Sequence, residues 1–515
     1  MENGILPLFL SDLIPENDPV FAFDRLMEEV NVAQYLPRLY RCQVGRRRYN
    51  PVRMLKTILF GYLYFGSISL RRLELLCQVD IRFRYLMDGA EPVFSTFQNF
   101  INDVLCDKIE DIFAVITKKI FEIDCVDLQH LYIDGSKFEA SSNKYTWVWK
   151  KGVEKSRANL FLKISKLIAE VNKMLPFNPI YVCGEYAPET VKVMMDHLKE
   201  AWNLDETKFV HGVGHRKTPE QRYYEEFQKC YERLKDYAEK INTCGPDRNS
   251  YSKTDPDATF MRTKKDHTGN DQLLPAYNIQ FGVADEYIAV ASVEQYRSDM
   301  DCFVPLMEKF HATYGFYPEY PVADAGYGSF NNYLYCEKVG MKRYMKFPMW
   351  KKETKDKKYH EDPFRPVNYR IENEVLYCPN NKPFHFKKRQ PIRGNKYGRE
   401  EELYECEDCS GCPLAEKCKK GKNNKVITLN RELTTFHEEV MDNLASPAGI
   451  LLRINRSIQS EGTFGVIKQD RHFRRITRRS MKNVKLEILL VALGFNLNKY
   501  CTKQRRKEQR NQARA

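Results

Sequence analysis

Val52, Leu55, Ile58, Leu59 and Leu63 recur at spacings of three and four residues behind Asn50-Pro51, so residues 48–66 are predicted to form an amphipathic helix that Gly66 closes. Residues 21–37 carry the same period. Shorter helical patterns follow at 70–78, 81–87 and 94–105, with Ser69, Asp80 and Ser95 as N-caps and Gly89 as a stop. From Leu128 the pattern changes to an apolar run, His130 to Ile133, that ends in Asp134-Gly135-Ser136 and reads as a strand carrying its acid to the end. Residues 151–243 return to a helical composition rich in Lys, Glu and Leu, broken at 176–179. Strand patterns resume at 277–283 and 287–293, joined by the turn Ala284-Asp285-Glu286, and again at 320–323 and 342–347, with a helical stretch at 299–314. Residues 349–365 are basic and irregular. A hairpin followed by strand, helix and strand predicts a mixed α/β layer rather than a sandwich.

Composition narrows this picture. A chain of 515 residues, 43% hydrophobic with 31 Tyr and 30 Phe, can bury sizeable cores in more than one domain. The net charge of +13 points to a polyanionic partner. No apolar run reaches spanning length and the first 20 residues lack a leader pattern, so a cytoplasmic protein with no membrane partner is expected. Most of the 15 cysteines stand singly in apolar contexts and read as reduced core residues. The exception is Cys406-x2-Cys409-x2-Cys412-x5-Cys418, with Cys378 and His385 upstream. That spacing suits a structural Zn²⁺ that staples a polar segment; an iron–sulfur cluster uses similar ligands, but its last gap is shorter. Residues 499–515 hold seven Lys/Arg and one Glu, and read as a disordered tail that adheres to nucleic acid.

Three acids stand out against this background. Asp324 ends the apolar run Pro321-Val322-Ala323 and is followed by Ala325-Gly326, residues small enough to let another backbone or a phosphate come close; Asp134 has a matching context. Glu461 lies in a predicted helix, with Arg456 on a neighbouring face and Lys468 two turns on at nearly its own azimuth. Behind it Arg471, His472, Arg474, Arg475, Arg478 and Arg479 make a charge density that calls for a phosphate backbone. Glu461 by itself is better explained by an ion pair with Arg456 or Lys468 than by a metal. Together the three acids form the all-oxygen set that Mg²⁺ prefers for in-line phosphoryl transfer. Asp257 and Asp285 fit turns or caps instead, and Trp147 and Trp149 suit a core or a base stack. Arg71, Arg72, Arg82 and Arg84 would suit a helix-turn-helix-like DNA contact or the surface of an ordinary bundle.

In order along the chain, Tyr-Ile-Asp134-Gly-Ser-Lys, Asp255-Pro-Asp257-Ala-Thr-Phe-Met-Arg, Tyr277-Asn-Ile-Gln, Ala-Asp324-Ala-Gly-Tyr and Arg456-Ser-(x)3-Glu461-(x)2-Phe464-Gly-(x)2-Lys468 resemble bacterial insertion-sequence transposases with an RNase H-like DDE domain, most of all the insertion-sequence 1182 group. The likeness runs from near Arg46 to about Asn498. It implies an α/β fold with an RNase H-like mixed sheet core. A helical N-terminal DNA-binding domain (1–125) would precede a catalytic domain (126–498) that carries a helical insertion (about 150–250) and a Cys-rich one (about 350–430), with the basic tail at 499–515. It further implies Asp134, Asp324 and Glu461 as catalytic ligands of Mg²⁺ or Mn²⁺, with Arg456, Lys468, Arg474 and Arg475 on DNA. Transposon-end and target DNA would be the partners of a homodimer associated with the nucleoid. Ile454 and Ser457 depart from the wider superfamily, where a Tyr and an Arg are usual. A nuclease without joining activity and a non-catalytic, zinc-stapled DNA-binding protein are the rival readings.

Overall fold

The structure, a computed structural model, describes residues 9–37, 48–212, 216–263, 272–373, 375–392 and 399–512. Its central sheet contains β1 (His130–Glu139), β2 (Thr259–Arg262), β3 (Leu273–Ala284), β4 (Tyr287–Glu294), β5 (Tyr320–Ala323) and β6 (Tyr344–Met345). β1 runs antiparallel to β3 on one side and parallel to β5 on the other, and β6 extends the sheet in parallel beyond β5. β4 returns along the far edge of β3 through Asp285 and Glu286, both at positive φ, as a tight hairpin requires. β2 pairs with the first part of β3, Leu273 to Ala276, on the same edge as β4. The apolar stretches Phe281–Ala284 and Tyr287–Ala291 on either side of this turn are buried, because helices cover both faces of these strands.

Asp18, Asn50, Ser69 and Asp80 cap the helices Pro19–Glu29, Pro51–Phe65, Leu70–Val79 and Ile81–Met87, each accepting backbone N–H groups. Ser95 is not a cap: the helix Phe94–Phe100 begins after Val93, and Glu74 accepts the Phe94 N–H at 3.0 Å. The predicted helix over 21–37 stops at Glu29, where Val30 turns extended, and resumes as one tight turn at Val32–Tyr35. Arg82 is half-buried against Asp80 at 2.6 Å, so it does not stand free for DNA, whereas Arg71 and Arg72 lie exposed over Phe94 and Phe65.

The helix Met481–Gln512 lies against Pro51–Phe65, Ile109–Asp124 and β4 together. Phe23, Leu59, Ile116, Ile133, Phe281 and Leu490 therefore belong to one continuous core. The described part of the expected tail, 499–512, is not disordered but completes this helix, and 513–515 lie outside the described residues. Tyr500 and Cys501 are buried, Lys507 pairs with Asp124 at 2.9 Å, and Glu508 pairs with Arg25 at 3.0 Å, which offsets the charge repulsion that its composition suggests.

Two further units are inserted. Lys150–Met174, Pro188–Ala201 and Pro219–Cys244 pack around their own core of Ile164, Leu198 and Phe227, entered and left through the paired strands Trp147–Trp149 and Ser250–Ser252. After two short helices, Trp350–Lys355 and Lys357–His360, where irregular chain was expected, comes an antiparallel meander. Its strands are β7 (Arg370–Glu372), β8 (Val375–Tyr377), β9 (Pro383–Pro391), β10 (Glu400–Cys406) and β11 (Val426–Leu429), folded over Leu376, Phe384 and Ile427.

Candidate active site

Register brings the two aspartates side by side. Tyr132 of β1 pairs with Val322 of β5 in parallel, and two residues further along each strand stand Asp134 and Asp324. Asp324 directly follows β5, as expected. Asp134 does not end its strand: β1 continues to Glu139 along β3, so Asp134 sits where β1 parts from β5. Gly135 is required here, since a Cβ would lie 2.3 Å from Gln280 Nε2, and a Cβ at Gly328 would lie 2.0 Å from the Lys346 carbonyl oxygen. The Asp324 carboxylate accepts the Gly326 N–H at 2.7 Å.

The third acid arrives on a helix that is not uniformly α. Pro447–Arg456 is α-helical, Ser457–Glu461 is a π turn, Gly462–Gly465 is α again and Val466–Asp470 is a second π turn. A π turn stacks residue i on i+5 rather than i+4. This puts Arg456 beside Glu461: Nη2 donates to Oε1 at 2.6 Å, while Ser457 Oγ donates to Oε2 at 3.1 Å. The same guanidinium reaches Asp134 Oδ1 at 3.5 Å. Arg456 is thus the buried joint between the first and third acids, with its side chain 10% exposed against 51% for Glu461. The two π turns also undo the expected common azimuth of Glu461 and Lys468. Lys468 turns to β1, donating to Ser136 Oγ at 2.7 Å and to the Lys137 carbonyl at 3.1 Å.

Burial pushes the Asp134 carboxyl up to about 6; Arg456 opposes this, and the charges of Asp324 and Glu461 add to it. Lys346, which the sequence reading missed, belongs to this group: burial, followed by the repulsion of Arg456 and Arg453, lowers its pKa, against the attraction of Asp324 and Glu461. Also missed were Asn278, Gln280, Tyr327 and Asp299, a polar cluster beneath the two aspartates. Their signals lay inside two motifs, Tyr277-Asn-Ile-Gln for Asn278 and Gln280 and Ala-Asp324-Ala-Gly-Tyr for Tyr327, whose neutral side chains draw no attention, while Asp299 stood only at the head of a predicted helix.

The arginine run divides. Arg474 and Arg475 are exposed, the first donating to the Lys468 carbonyl at 3.0 Å and the second lying 3.5 Å from Glu139. Arg471 is instead packed inward, donating to the Tyr62 carbonyl at 3.3 Å. The acids set aside on sequence have other partners: Asp255 and Asp257 accept the Ser480 and Met481 N–H groups at 3.2 and 2.7 Å, at the head of the long C-terminal helix, and Asp285 accepts the Asp127 N–H at 2.9 Å. Trp147 and Trp149 both lie against Phe260, with Trp147 partly exposed.

Cys406, Cys409, Cys412 and Cys418 line one cavity together with Cys378, whereas His385 points away on β9. The Lys382 and Lys425 N–H groups donate to the sulfurs of Cys378 and Cys409, each at 3.3 Å. Burial pushes the Cys406 thiol up to about 12, with Cys409 adding to the effect. Among the described residues, no three or more His, Cys, Asp or Glu side chains are already drawn together as metal ligands, at the thiols or at the acids. Among the same residues, no helix is long and apolar enough to cross a membrane.

Comparison with known families finds two matches. Residues 377–501 match the family model described as Transposase DDE domain, and residues 8–103 match the one described as Transposase domain (DUF772). These two matches support an insertion-sequence DDE transposase. No curated protein and no solved structure matches it.

Proposed function

We propose that this transposase, of the insertion-sequence 1182 type, binds the ends of its element and carries out metal-dependent cleavage and strand transfer on an RNase H-like core. The observation that carries the reading is the joint at Arg456, which links Asp134 to Glu461 while register sets Asp324 beside Asp134. Sheet order supports the fold assignment: a long antiparallel hairpin on one side of β1 and two short parallel strands on the other.

Asp134, Asp324 and Glu461 offer oxygen ligands only, which fits Mg²⁺ or Mn²⁺ in preference to softer metals. Such ions would lower the pKa of an attacking water or 3′-hydroxyl and stabilise the leaving oxygen. Burial and the neighbouring acids make the Asp134 carboxyl harder to ionise, and Arg456 makes it easier. Arg456 neutralises part of the acid set, and Lys346, Lys468, Arg474 and Arg475 supply cations that would hold the scissile strand's phosphates. The helical unit of 1–125, with Arg71 and Arg72 exposed, would bind transposon-end DNA, and two copies of the chain would pair the two ends in the nucleoid. Cys406, Cys409, Cys412 and Cys418 would hold a structural Zn²⁺, for which four sulfur donors around one cavity are the appropriate chemistry.

The test is cleavage and joining of duplexes that carry the element's terminal sequence. Replacing Asp134, Asp324 or Glu461 with Ala should abolish both Mg²⁺-dependent steps and leave end binding intact. Wild-type cleavage by the Asp134→Ala protein would refute the assignment, and cleavage without joining of pre-cut ends would instead favour a nuclease.

A further inference from the structure

Gln280 and Asn278 are fully buried, although each carries an amide. Burying an amide is unfavourable unless every polar atom is matched, and here the matching is specific. Gln280 sits opposite Gly135 across β1 and β3, so it touches the chain one residue beyond Asp134. Its Oε1 accepts a hydrogen bond from the Tyr327 hydroxyl. Its Nε2 donates to Asn278 Oδ1 at 3.0 Å and to Asp299 Oδ1 at 3.1 Å, and Asn278 Nδ2 donates to the same Asp299 oxygen at 2.7 Å. Tyr327 belongs to the turn that begins at Asp324, its N–H directed to the Asp324 carbonyl at 3.3 Å, and Asn332 Nδ2 holds the Tyr327 carbonyl at 2.7 Å. Asp299 faces both segments: a Cβ at Gly135 would lie 2.9 Å from its Oδ1, and one at Gly326 would lie 3.6 Å from its Oδ2.

One side-chain hydrogen bond therefore ties the strand residue facing Gly135 to the turn that carries Asp324. β1 and β5 are paired only as far as Tyr132 and Val322, so the ladder between them stops short of the two acids. We propose that Gln280 and Tyr327 are positioning residues whose hydrogen bond sets the separation of Asp134 and Asp324, with Asn278 and Asp299 fixing the orientation of the Gln280 amide. This rests on the reading of those two aspartates as metal ligands. Mg²⁺ demands near-ideal octahedral geometry, so the spacing of its carboxylates governs affinity, whereas Ca²⁺ tolerates variable geometry.

The experiment compares the full-length protein with Tyr327→Phe, which removes a single oxygen, and with Gln280→Met, which keeps the shape and removes the amide. Mg²⁺ and Ca²⁺ are titrated separately, and the rise in melting temperature is read as binding; DNA-end affinity and Mg²⁺-dependent cleavage are measured alongside. The Mg²⁺ concentration at half-maximal shift should rise roughly 10- to 100-fold, as for other outer partners of metal ligands. Ca²⁺ binding should change less, and end affinity should be unaltered. Both variants having the Mg²⁺ dependence of the unsubstituted protein, with only a lower metal-free melting temperature, would overturn the proposal and leave a packing role. Should one variant not fold, the other gives the same reading. An unsubstituted protein whose Mg²⁺ shift persists in Asp134→Ala and Asp324→Ala would refute the ligand assignment itself, a pattern distinct from the first.

Discussion

Asp134 is an acid whose protonation the fold changes. Its carboxyl ordinarily titrates near 3.8 and here titrates at about 6, so the folded protein binds a proton that the unfolded chain has already released. The contribution to stability is present in full below the lower value and is lost as pH rises through the higher one. Metal-free Asp134→Asn protein should therefore be more stable than the unsubstituted protein above about pH 6, by at most on the order of 3 kcal/mol, and the advantage should vanish below about pH 4. Melting curves in chelator across that range measure it, and a constant difference at all pH values would show that the burial of Asp134 is not its source. What made this acid legible in the sequence was the apolar run before it and the glycine after it. Gln280 gave no such sign, because a neutral amide inside a buried strand looks like one polar step of an ordinary alternation.

Among the elements, the helix carrying Glu461 shows where periodicity stops being informative. A spacing of seven residues between Glu461 and Lys468 means two turns only if every turn is α, and apolar patterning has no signature for the i+5 contact that a π turn creates. The departure at Ser457 has a structural counterpart: Ser457 itself donates to Glu461, and Arg456 supplies the guanidinium one position earlier because the turn is wider by one residue. The Asp255-Pro-Asp257 segment was equally visible, and Asp257 read as a turn or cap, but the helix it serves was not legible, since its partners lie more than 200 positions away in sequence. It satisfies N–H groups at the start of Met481–Gln512, which otherwise would be unpaired. Asp257→Ala should cost about 1 to 2 kcal/mol, the value of a lost helix cap, seen as a lower denaturation midpoint with an unchanged denaturant slope. No loss would mean that water replaces the carboxylate.

At the scale of the whole molecule, the sequence showed the succession of helical unit, sheet and insertions, but not their fusion. Charge density made residues 499–515 look like a loose tail; only the tertiary partners Asp124, Arg25 and Glu286 make a helix of them. Deleting 499–515 removes the buried Tyr500 and Cys501 and should lower the melting temperature by on the order of 5–10 °C, followed by calorimetry. A dispensable tail would leave it unchanged.

The shared core also sets an order of events during synthesis. The helices from Pro19 to Asp124 leave the ribosome early, yet the surface that Pro51–Phe65 and Ile109–Asp124 present to Met481–Gln512 stays uncovered until that helix is made. At about 5–20 residues per second, the interval from Asp124 to Met481 is roughly 20 to 70 s. For that time the nascent N-terminal unit carries an apolar face with no cover. A ribosome stalled anywhere in the intervening sequence would hold an incompletely packed N-terminal unit, so the architecture couples the packing of that unit to the synthesis of Met481–Gln512.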